Sequence, residues 1–205
     1  MNEKKKISLV HLDALKEIGT ISAGRAATAL AEMLNCKVEI NVPEVKIFPL
    51  ELLNKVLGKP DDLFFVLDIN MEGEIKGRWF FLLPPNEAKV LGASLLNKKS
   101  EEIDIEDPLF QSSLKEITNI LTAAYFNALS EMTNLVFLYN PPSLAIDMVG
   151  ALLDFFFIQI AQYAEEVIFI KTQLEIEGIG FQGLILFFPE MESLVKLLEK
   201  LGVKE

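Results

Sequence analysis

With one cysteine and one histidine in 205 residues, the chain excludes most catalytic chemistry at the outset. Cys36 alone cannot close an intramolecular disulfide or build a cysteine-cluster metal site, and reads as a small buried hydrophobe in a reducing compartment. Nucleophilic triads fail too, because His11 is the sole imidazole and Cys36 the sole thiol. His11 falls in the first turn of the opening helix and reads as structural or surface. No glycine-rich phosphate loop is present: Gly178-Ile-Gly180 sits at a hairpin turn, not between a strand and a helix. Basic residues are also short, 19 Lys and Arg against 30 Asp and Glu, and the net charge of −11 argues against a nucleic-acid partner. Lys4-Lys5-Lys6 is a short solvated tip. The most apolar stretch, Met148 to Ala164, is broken by Asp154 and two glutamines and falls short of the ~20 residues of a membrane span. No apolar run followed by small residues opens the chain, so no signal peptide is expected and the protein is expected to be cytoplasmic.

What is present is an ordinary globular composition, 51% hydrophobic and 24% charged, in a chain long enough to bury a sizeable core. Its main feature is repetition. Asp13-Ala-Leu-Lys-Glu17-Ile-Gly-Thr20 returns 99 positions later as Ser112-Ser-Leu-Lys-Glu116-Ile-Thr-Asn119, and 13 of the 35 positions from 13–47 and 112–146 are identical. A long period used twice indicates duplication of one supersecondary unit, since solenoids need three or more copies.

The element pattern repeats with it. A long helix is expected over about 8–35, with Ser8 as N-cap. Strand-like runs follow at 37–42 and 45–49, broken at Pro43, then a brief helix at 50–57. A hairpin is expected from 63–71 and 76–83 around Glu72-Gly73-Glu74, and a helix at 86–97. The charged segment 98–107 is the expected joint. The second half gives a long helix at 108–133, strands at 134–139 and 144–148, and a hydrophobic helix near 149–163. A hairpin of 166–177 and 182–188 and a last helix opened by Pro189 complete it. The expected fold is therefore α+β, one domain of two repeats, about 8–97 and 108–202. It would be a pseudo-two-fold antiparallel β-sheet with two long amphipathic helices on one side.

The helical wheel divides each long helix into two stripes. In the first, Leu15, Ile18, Ser22, Ala26, Ala29 and Met33 face inward, and Asp13, Glu17, Thr20, Gly24, Ala27, Thr28 and Ala31 face outward. In the second, Leu114, Ile117, Leu121, Tyr125, Ala128 and Met132 face inward; Ser112, Glu116, Asn119, Ala123, Phe126, Asn127 and Ser130 face outward. An isolated polar residue on an outward face is usually mere solvated surface. Here the outward faces carry small residues, and Gly24 and Asn119 are poor helix formers that local propensity did not choose. Small residues around one carboxylate and one amide leave room for another surface to dock. A lone Glu beside a carboxamide is a poor metal site. A carboxamide can instead orient water for attack on a phosphoryl group whose other machinery is supplied elsewhere.

These residues resemble the CheC/CheX/FliY family of chemotaxis phosphatases, particularly its CheC branch. Its pattern is Asp or Ser, three residues, Glu, two residues, Asn, followed by a small-residue stretch ending in Ala-Leu. Ser112-x3-Glu116-x2-Asn119 fits in full, with Asn127-Ala128-Leu129 behind it. Asp13-x3-Glu17-x2-Thr20 fits except at Thr20. The resemblance implies hydrolysis of the aspartyl-phosphate of a CheY-type response regulator, with Asn119 orienting the water and Glu116 gripping a regulator lysine. Glu17 and Thr20 would form an impaired first site, the second site carrying most of the activity, while Asp13, Gly24, Ser112 and Ala123 would contact the partner. It implies no metal or cofactor of the chain's own, the Mg²⁺ arriving on the regulator, and a CheD deamidase as a further partner, for which 149–163 is the candidate contact. The competing expectation is a non-catalytic adaptor or flagellar-switch-like module.

Overall fold

The computed structural model describes residues 9–201; the Lys4–Lys6 tip and the expected Ser8 cap lie outside them. The chain runs α1 (Leu9–Leu34), β1 (Val38–Pro49), a 3-10 turn (Leu50–Lys55), β2 (Leu63–Gly73), β3 (Gly77–Leu83) and α2 (Pro85–Leu96). It continues with α3 (Pro108–Thr133), β4 (Phe137–Tyr139), β5 (Ser143–Met148), α4 (Val149–Phe155) and a π-turn (Phe156–Ile160). β6 (Glu166–Ile176), β7 (Ile179–Pro189) and α5 (Met191–Lys200) end it. The expected α+β class is borne out. Both long helices stop at an asparagine in the left-handed region, Asn35 at φ 51° and Asn134 at φ 55°, a conformation asparagine tolerates. α3 starts where Pro108 occupies the first turn and the Asp107 side chain accepts the Leu109 N–H at 2.9 Å.

All seven strands join one sheet, ordered β1-β6-β7-β3-β2-β4, with β5 also on β2. The central pair is β3 against β7, antiparallel, which places the pseudo-two-fold between the hairpins. Each repeat's leading strand pairs with the other repeat's hairpin: β1 lies on β6, whereas β4 and β5 lie on β2.

Alternation along the strands sorts the core into two layers. In β3, Trp79, Phe81 and Leu83 face the large cluster beneath α1, α2, α3 and α5. Phe80 and Leu82 face a second cluster with Leu50, Leu53, Val149, Leu152, Phe156 and Ile160. Helices on one side only is therefore corrected: the 3-10 turn, α4 and the π-turn cover the opposite face, because the alternate strand positions there are also large and apolar. Four further expectations change. The two runs around Pro43 form one strand, which absorbs the proline in a register shift between Asn41 and Glu44. The expected helix at 149–163 stops being α-helical at Phe155. Pro189 closes β7, so Glu190 stands at the N-terminal boundary of α5, its backbone carbonyl accepting the Leu194 N–H. Fourth, Phe126 is buried, not outward: it packs on Trp79, Phe137 and Tyr139 with ring centroids 5.0, 5.4 and 5.1 Å away.

Candidate functional site

Burial along α3 shows why Phe126 leaves the outward face. Its buried residues, from Phe110 through Thr118, Thr122, Phe126 and Thr133, cover more than half the circumference, because 134–139 returns along a second flank. The hydroxyls among them are held by the helix itself, as in Thr118 to the Leu114 carbonyl at 2.8 Å. What stays accessible is a narrow arc: Ser112, Glu116 and Asn127 exposed, Asn119, Ala123 and Ser130 half-buried. The matching arc of α1 presents Asp13, Glu17, Thr20, Gly24 and Thr28, all exposed, with Ala27 and Ala31 half-buried. Two expected inward residues, Met33 and Met132, are instead 45% and 40% exposed near the helix ends, and Ala29 is exposed as well.

The two arcs differ in what their polar groups already hold. Among the described residues, the side chains of Glu116, Asn119 and Glu17 have no hydrogen bond or ion pair within the chain. The Thr20 hydroxyl, by contrast, donates to the Lys16 carbonyl at 3.0 Å. Two turns on, Thr28 does the same to Gly24, at 3.1 Å. A hydroxyl folded back on its own helix is engaged before any partner arrives. Gly24 is open on its outer side, since an added Cβ would meet nothing within 4 Å. Gly19 has the opposite reason to be small: a Cβ there would come within 3.2 Å of Val42, so its absence lets α1 lie close on β1.

A groove of about 780 Å³ runs between the helices beyond Asn119, lined among others by Ile120, Ala123, Asn127 and Ser130 of α3 and by Arg25 and Ala29 of α1. Arg25 closes one end through a two-pronged ion pair to Glu131, at 2.7 and 2.6 Å. The guanidinium holds the Glu131 carboxyl below its ordinary value by hydrogen bonding to it. Thr20 lies about 8 Å from this pair along α1, and Asn119 about 18 Å along α3, at 1.5 Å per residue. The sequence offered one hint of Arg25, as the lone basic residue inside a run of small ones; its partner, 106 positions away, left none. No group of three or more His, Cys, Asp or Glu side chains is arranged to hold a metal ion among the described residues, and no helix there is long and apolar enough to cross a membrane.

Comparison with known proteins bears out the family resemblance read from the two motifs. The CheC-like family matches residues 10–47 and 111–146, the same two segments in which the repeat is strongest. The chain is 29% identical over 195 residues to the CheY-P phosphatase CheC of Bacillus subtilis (strain 168), covering 93% of each protein. It is 23% identical over 141 residues to the flagellar motor switch phosphatase FliY of the same organism, covering 68% of this chain and 36% of that one. The crystal structure of Thermotoga maritima FliY shares the fold, with a TM-score of 0.78 at 20% identity over 97% of this chain and 99% of that one.

Proposed function

From a chain that is CheC-like in both of its repeats, we propose a phosphatase acting on the aspartyl-phosphate of a CheY-type response regulator, with the α3 site carrying most of the activity. The observation that carries this reading is the contrast between Asn119 and Thr20. The first is an uncommitted carboxamide on an accessible arc; the second is a hydroxyl already bonded to its own helix. Similarity over nearly the full length to a CheY-P phosphatase supports the substrate class.

In this mechanism α3 docks over the phosphorylated aspartate. The Asn119 carboxamide oxygen accepts a hydrogen bond from a water O–H, which turns an oxygen lone pair toward phosphorus for in-line attack. Glu116, three residues earlier and about one turn away, pairs with a regulator lysine and fixes the register. Mg²⁺ bound to the regulator is part of the substrate. The small residues at 123, 127 and 130 keep the arc low enough for close approach. The protein works in the cytoplasm, where such regulators signal. A CheD-type deamidase is a further partner, for which Phe155, Phe157 and Ile158 leave one apolar side of the α4 segment exposed.

The decay of phosphorylated regulator with and without the protein, at fixed Mg²⁺, tests the reading. Acceleration should be abolished in Asn119→Ala and mostly retained in Thr20→Ala. Equal losses in the two variants would overturn the assignment of the α3 site. A second reading, a binding face without turnover, is favoured for α1 alone: Glu17 and open Gly24 are kept there while Thr20 is engaged.

A further inference from the structure

The accessible arc of α3 begins with a residue that neither its fold nor its core requires. Leu109 is 60% exposed, although it stands in a first turn where a solvated residue costs nothing. A single exposed leucine needs no explanation. This one has three companions on its line of the helix, and together they ask for one. At about 100° per residue, positions 109, 116, 120 and 127 fall within roughly 40° of one another, so Leu109, Glu116, Ile120 and Asn127 form one line on the helix. The line recurs in α1 as Val10, Glu17, Ile21 and Thr28, each 99 positions earlier, with Val10 58% and Ile21 38% exposed.

Leu109 is also held in place. Pro108 fixes the backbone before it and Asp107 accepts its N–H at 2.9 Å. Gln111 ties the same turn to the Ile105 carbonyl at 3.1 Å. An exposed apolar side chain on a capped, proline-started turn has little backbone entropy left to lose when a surface covers it.

We propose that Leu109 is a positioning residue for the phosphatase reaction, an apolar anchor that seats a phosphorylated receiver domain about 10 Å along the axis from Glu116 and about 15 Å from Asn119. Ile120, half-buried at the groove, is the second apolar contact beyond the catalytic pair. The occupant is an apolar patch beside a lysine and a phosphorylated carboxylate, because this arc offers a leucine, a free carboxylate and a free carboxamide in that order. Leu109 touches no reacting atom; it supplies binding that holds the receiver domain on the arc equally before and during the reaction. The inference rests on the phosphatase reading of the same site.

The test uses the full chain with a phosphorylated CheY-type receiver domain as the probe. Both the decay rate over a range of regulator concentrations and the dissociation constant of the Asn119→Ala background are measured. Leu109→Ala should raise KM about tenfold with kcat within twofold of wild type and an unchanged melting temperature, and Leu109→Met should restore KM. An unchanged KM, or a kcat that falls alone, would overturn the anchor. If the wild-type chain does not accelerate decay, the catalytic reading fails separately. The anchor is then decided by binding: tenfold weaker affinity in Leu109→Ala upholds it, and equal affinity sinks it.

Discussion

Thr20→Asn is the most direct probe of the unequal faces, because it gives the α1 arc the one group it lacks. Thr20 is exposed, and its only described bond is the one to the Lys16 carbonyl at 3.0 Å. That carbonyl keeps its helical N–H donor after substitution, and Asn and Thr have nearly equal helix propensity. The fold should therefore change by no more than about 0.5 kcal/mol, as for other surface positions. An asparagine carboxamide reaches one atom further than a hydroxyl. Its oxygen only accepts, so it cannot bond the preceding turn's carbonyl as the threonine O–H does, and it stays free for a water. Loss of one preorganised group that acts in the transition state costs on the order of 10²-fold, about 2.7 kcal/mol, which sets the expected defect of Asn119→Ala. In the double variant Thr20→Asn/Asn119→Ala, activity should return to within about tenfold of wild type. Thr20→Asn alone should about double kcat per chain, two faces working where one did. Decay of the phosphorylated regulator, followed at saturating regulator, reads both numbers. The reasoning fails if the double variant stays as inactive as Asn119→Ala while binding phosphorylated regulator with unchanged affinity. The α1 face would then lack more than a carboxamide.

Two further outcomes concern the frame. Phe126→Ala should destabilise by about 3–5 kcal/mol, seen in chemical denaturation, since it empties a site ringed by Trp79, Phe137 and Tyr139. A cost below about 1 kcal/mol would return Phe126 to the surface. Burial pushes the Tyr125 phenol up to about 12, an effect that the neighbouring Thr172 hydroxyl opposes only in part. A folded-state value above the ordinary 10 means stability fully present below pH 10 and lost as pH rises towards 12, up to about 2.7 kcal/mol. Tyr125→Phe should flatten that alkaline loss, measured by urea midpoints at several pH values. An equally steep alkaline loss in the variant would refute the assignment to Tyr125.

Much of this was legible because helices announce themselves locally. The run 108–133 is bounded by a capped proline at one end and Asn134 at the other, and its small outward residues are visible as choices propensity would not make. Glu17, Thr20, Glu116 and Asn119 reached accessible arcs as the wheel required. Phe126 did not, because a wheel knows one buried side, and this helix has a second flank covered by a strand that arrives only through the fold. The engagement of Thr20 was hidden for a related reason: a threonine's choice between solvent and its own helix is a rotamer, not a composition. The Leu50–Lys55 and α4 layer was misjudged although it was legible: the unbroken run Trp79-Phe80-Phe81-Leu82 puts large apolar residues on both faces of one strand, so both faces need a cover. Strand pairing was the least visible, since nothing in β1 names β6 as its neighbour.

That pairing has a consequence for how the molecule came apart from, or could be returned to, a simpler ancestor. Because β1 completes the hairpin of the other repeat and β4 with β5 completes the hairpin of the first, the halves are interlocked, like two hands each gripping the other's wrist. A chain cut in the 98–107 joint should yield fragments that each lack a sheet edge and recover it only by finding one another. The same lock makes the two docking faces thermodynamic hostages of each other: a lesion in one hairpin loosens the helix bed of both, so inequality between the faces has to be written on their surfaces and not beneath them.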